Sequence, residues 1–108
     1  MTLSELEAVL SQALPGKVVY HHWPEKQAPN LPYICYYATG SDNFGADNIV
    51  YHSGTPVRIE LYERNKDLTT EGTVETALKN AEIYWERDDS YIDSEKCYMI
   101  IYEVTLNG

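Results

Sequence analysis

Leu3, Leu6, Leu10, Ala13 and Leu14 recur at three- and four-residue steps and form one apolar stripe along a helix. Thr2 and Glu5 stand at capping-box spacing at its start, and Pro15-Gly16 stops it. Val18-Val19-Tyr20 predicts a short strand that ends before Pro24, and Tyr33 to Thr39 predicts a second beyond Pro29 and Pro32. Ile49 to His52 reads as a third short strand, followed by a turn at Ser53-Gly54-Thr55. Val57, Ile59 and Leu61 alternate with Arg58, Glu60 and Tyr62, the period of a strand buried on one face. Val74, Ala77, Leu78 and Ala81 mark a second helix, capped by Asp67 or Thr69. Ile83-Tyr84-Trp85 predicts the start of another strand, Arg87-Asp88-Asp89-Ser90 a polar turn, and Cys97 to Leu106 the last strand.

The order is therefore α-β-β-β-β-α-β-β over a single domain, residues 1–108. Successive strands joined by short turns predict an α+β fold, a mostly antiparallel sheet of about five strands with two helices packed on one face.

Two of the strands lack a polar face. Tyr98, Ile100, Tyr102, Val104 and Leu106 oppose Cys97, Met99 and Ile101, while Tyr33, Cys35 and Tyr37 oppose Ile34, Tyr36 and Ala38. Two short helices cover one side of such a sheet. The other side needs a curl of the sheet, a loop folded across it, or a second subunit, because monomers seldom carry a large bare apolar patch. Ten tyrosines beside a single phenylalanine favour contact surfaces, since tyrosine is enriched at interfaces. Tyr33, Tyr37, Met99 and Ile101 are the candidate interface residues.

Charge narrows the partners. Seventeen acids against eight bases leave a net charge of -9, which argues against nucleic acid and against anionic membranes. The longest uncharged stretch in the middle of the chain, Ala28 to Ser41, holds two prolines and is too short to span a bilayer. Met1 to Glu5 has no basic or apolar run, so no secretory signal is expected there. Two cysteines do not make a disulfide scaffold, and reduced thiols in a cytoplasm are expected.

Candidate chemistry is sparse. His21 and His22 would point to opposite faces of a strand, and together with His52 they show no zinc-ligand spacing. Cys35 lies in an apolar strand, the setting of a neutral thiol rather than a nucleophile. The loop Asp42 to Asn48 has the composition of a calcium loop, but Phe44 occupies a ligand position and no glutamate closes it. Glu86, Asp88, Asp89, Asp93 and Glu95 make either a solvated turn or a divalent-ion cluster at a subunit boundary. No phosphate cradle, nucleophile elbow or zincin motif occurs. Catalytic residues, cofactors and metals are therefore not expected, and the chain does not read as an enzyme.

Asp42-Asn43-Phe44-Gly45-Ala46-Asp47-Asn48-Ile49-Val50-Tyr51, Val57 to Tyr62, Lys66-Asp67, and Tyr91 to Glu95 leading into Tyr98 to Glu103 carry a likeness across nearly the whole chain. In these segments it resembles the small head-to-tail proteins of long-tailed bacteriophages and prophages, of the tail terminator or tail-completion family. The resemblance implies an α+β fold and a homo-oligomeric ring, commonly a hexamer, that caps the tail tube and joins it to the head. It implies the tail tube protein and a head-side neck or connector protein as partners, and a place in the virion after assembly in the host cytoplasm. The family has no catalytic residues. Phe44 is the apolar anchor expected in the extended loop. A head-side connector and a monomeric protein-binding adaptor remain the alternatives.

Overall fold

The computed structural model describes residues 1–39 and 54–107. Helix α1 spans Leu3–Ala13 and opens with the capping box: Thr2 Oγ1 accepts from Glu5 N at 3.1 Å and Glu5 Oε1 accepts from Thr2 N at 2.8 Å. Strands β1 (Val18–Tyr20), β2 (Tyr33–Ala38) and β3 (Gly54–Glu63) follow, then α2 (Leu68–Asn80), β4 (Trp85–Ile92) and β5 (Cys97–Asn107). Asp67, not Thr69, caps α2, and its carboxylate accepts from Thr70 N at 3.1 Å. The expected α+β class and helix–strand order hold over the described residues; the strand Ile49 to His52 lies outside them.

The five strands form one sheet in the order β1-β2-β3-β5-β4. All pairs are antiparallel except β1 with β2, so the sheet is mixed. A parallel pair needs a connection of about a dozen residues or more, and the 21–32 segment supplies it. Three boundaries differ from expectation. Gly54 and Thr55 are not in a turn but begin β3, opposite Asn107 and Leu106. Arg87 to Ser90 is not a turn: it lies within β4, paired with Tyr102 to Met99, and the chain reverses at Asp93 to Lys96 instead. Strand β4 reads as a turn because it is a sheet edge, where charged side chains are the rule. The strand expected from Ile83 starts at Trp85, while Ile83 itself turns inward to the core.

Both helices pack on one face. Leu6, Leu10, Val74 and Leu78 bury against Ile34, Tyr36, Val57, Ile59, Leu61, Ile100, Tyr102, Val104 and Leu106 in one cluster. A buried aliphatic side chain is worth about 1.5–3 kcal/mol, so this cluster carries the fold.

Candidate functional site

Strand register makes the second face of the sheet a grid. One row is Tyr33, Tyr62, Met99 and Ser90; the next is Cys35, Glu60, Ile101 and Asp88; the third is Tyr37, Arg58, Glu103 and Glu86. Among the described residues no helix covers this face. The four candidate interface residues Tyr33, Tyr37, Met99 and Ile101 all lie on it, two from β2 and two from β5, with β3 between them. Phe44 lies outside the described residues.

The centre of the face is a buried carboxylate that the alternation of β3 places on the solvent side. Glu60 is only 8% exposed. Its Oε1 accepts from Tyr62 OH at 2.7 Å and its Oε2 from Tyr37 OH at 3.0 Å. Arg58 Nε adds an ion pair at 3.0 Å to Oε2, without the angle of a hydrogen bond. Burial, and then the bond to Glu60, raise both tyrosine pKa values above the ordinary phenol range. The tyrosines are thus spent partly on their own sheet, their rings lying as an apolar skin over a paired charge.

One corner is covered from within. The 21–32 segment brings Trp23 to 5.9 Å from Tyr33, edge to face, and Tyr33 meets Tyr62 at 5.3 Å. Cys35 is buried there, and burial with the neighbouring Glu60 pushes its thiol up to about 11, a neutral and unreactive state. The expectation for the histidine pair is corrected. His21 has φ 73, which breaks the strand alternation and swings both rings together, Nδ1 to Nδ1 at 2.8 Å, so that one ring donates to the other.

The acidic run also divides. Glu86 and Asp88 lie on this second face, whereas Arg87 and Asp89 point the other way, toward α2. Arg87 Nη2 meets Glu71 at 2.7 Å, Nη1 meets Glu75 at 2.7 Å, and Nε meets Asp89 at 2.8 Å. Lys66 Nζ bridges Glu71 at 2.8 Å and Asp89 at 3.2 Å. Asp89 is held at about 2, first by the Arg87 bonds. Tyr102 OH donates to Glu75 at 2.9 Å from the core. This network joins β4 to α2 and was not visible as spacing, because its members lie far apart in the chain. Among the described residues no group of three or more His, Cys, Asp or Glu side chains is placed to hold a metal ion, and no helix is long and apolar enough to cross a membrane.

No family model and no curated protein matches the chain. A solved chain described as "Virion of native gene transfer agent (GTA) particle" is similar to it at 15% identity, over 96% of this chain and 88% of that one, with a TM-score of 0.47.

Proposed function

We propose that this chain is a non-enzymatic virion assembly protein of a long-tailed phage or prophage, a tail terminator or tail-completion subunit. Its copies form a ring that caps the tail tube and joins it to the head. The observation that carries this reading is the two-sided sheet: Tyr33, Tyr37, Met99 and Ile101 share a face that no helix among the described residues covers. The sequence resemblance to terminator proteins supports the specific role. The net charge of -9 suits a ring through which DNA must pass without sticking, since like charge disfavours binding. DNA retained on assembled rings at low salt would contradict that last point.

Sedimentation over a wide concentration range, with and without magnesium, tests the reading. A discrete species near six subunits supports it and counts against a monomeric adaptor. Binding to purified tail tubes then separates a terminator from a head-side connector, and a protein that stays monomeric and ignores the tubes is not a terminator.

A further inference from the structure

The two edges of the sheet are matched to each other. Among the described residues β1 and β4 each have a neighbour on one side only. Pairing directions make β1, β2 and β5 run one way and β3 and β4 the other, so the two edge strands are antiparallel. A second copy rotated about an axis along the strands brings its β1 beside the first copy's β4 in the antiparallel sense that hydrogen-bonds most readily. Charge follows the same division. Residues 17–22 hold Lys17, His21 and His22 and no acid, whereas β4 holds Glu86, Asp88 and Asp89 against the single Arg87.

Exposed apolar surface gathers at the same two places. Four large hydrophobic side chains are exposed among the described residues, and three of them flank the edges: Tyr20 on β1 at 44%, Tyr91 on β4 at 48%, and Tyr84 just before β4 at 79%. Tyrosine is the residue type that interfaces enrich.

We propose that successive copies join edge to edge, the acidic β4 edge of one copy receiving the basic β1 edge of the next. This rests on the assembly reading above and names its joint, which runs along the strand edges, with Glu86 and Asp88 standing where it borders the helix-free face. The contact is head-to-tail: two different surfaces meet, which closes into a ring when the rotation fits. Strand β1 offers only three residues, so the tyrosines and charges supply most of the contact.

Two exchange variants test it in the full chain, with circular dichroism as the check on folding. Glu86→Lys with Asp88→Lys makes both edges basic; Lys17→Glu with His22→Glu makes both acidic. In sedimentation each variant alone is expected to associate about tenfold or more weakly than the unaltered protein, because like charges then meet at the joint. Mixed one to one, they are expected to recover association in alternating order, since each joint again pairs opposite charges. If the unaltered protein assembles and both variants assemble as well as it does, the edge joint is wrong and the assembly reading stands. Recovery of the first variant by the unaltered protein as full as by the second points to a β4-to-β4 joint, in which the charges near β1 play no part, and overturns the proposal. A protein that is monomeric at every concentration and on tail tubes removes both.

Discussion

The buried carboxyls of Glu63 and Glu71 meet where β3 leads into α2, and of the two only Glu71 takes hydrogen bonds from Lys66 and Arg87. Glu71 is 2% exposed and takes Lys66 on one oxygen and Arg87 on the other. Glu63 is 1% exposed; its Oε1 has the distant Asp67 N at 3.4 Å and its Oε2 has no donor. A proton on Glu63, donated toward Glu71, resolves the mismatch. Burial and then the Glu71 contact push Glu63 up to about 8. Burial also pushes Glu71 up, but the bonds from Glu63, Lys66 and Arg87 outweigh it and hold that carboxyl below its ordinary value.

Stability is therefore expected to fall as pH rises. The folded chain keeps a proton on Glu63 up to about 8 that the unfolded chain, with an ordinary glutamate near 4.5, has already lost. The contribution is fully present below the unfolded value and is gone once pH passes the folded one. Unfolding free energies from urea titrations between pH 5 and 9 should decline by no more than about 1.4 kcal/mol per pH unit, the limit for one proton. Glu63→Gln, which cannot ionise, should flatten that decline; equal slopes in both proteins would show that the proton lies elsewhere.

Arg87→Ala should be among the most damaging single changes outside the apolar core. It strips three carboxylates of their shared partner and leaves buried Glu71 with Lys66 as its one cation. Breaking a fully buried pair typically costs about 3–5 kcal/mol, and with 30% of the Arg87 side chain exposed the loss should fall at or below the lower end of that range. Arg87→Lys keeps the charge and loses the fork, so chemical denaturation should place it between the two.

Tyrosine ionisation reports on the Glu60 hub. In a spectrophotometric titration, Glu60→Gln should let Tyr37 and Tyr62 ionise at lower pH than in the unaltered protein, since it removes the charge that follows burial as a cause of their shift. Tyr62→Phe should cost about 1 kcal/mol, the usual worth of such a bond. An unchanged titration in Glu60→Gln would mean that burial alone sets these values.

Gly54 marks a close approach of β3 to β5. A Cβ there would stand 2.5 Å from the Thr105 Cγ2 methyl. Gly54→Ala should lower the melting temperature, and adding Thr105→Ser, which deletes that methyl, should recover most of the loss. A double variant no better than the single one would place the strain in the backbone.

What the sequence made legible follows from which interactions are local. The capping box, the apolar stripe of α1 and the alternation of β3 depend on neighbours within a few residues, and each reappears where the spacing puts it. The face without helices among the described residues was legible in outline, because Tyr33 and Tyr37 on β2 and Met99 and Ile101 on β5 each alternate with core residues, although Ile101 is itself buried. Strand β4 was hidden by its own charges: Arg87 and Asp89 serve a helix that sequence spacing does not connect to them. Glu60 and Glu63 look like solvated glutamates in the sequence and are buried; Tyr62 and Arg58 stand two residues from Glu60 on its own strand, but Tyr37 comes from β2 and Glu63 meets Asp67 across the turn. Register, which alone places such pairs, is a long-range property.

Strand β5 is the last element of the sheet along the chain, yet it lies between β3 and β4 and pairs with β3 over ten rungs. Without those residues β3 has no neighbour on its inner side, and β4 has nothing to join. The edge strand β4 is thus tied to the rest of the sheet only through β5. An assembly built through the edges of this sheet, as proposed above, would therefore draw only on copies in which β5 is in place.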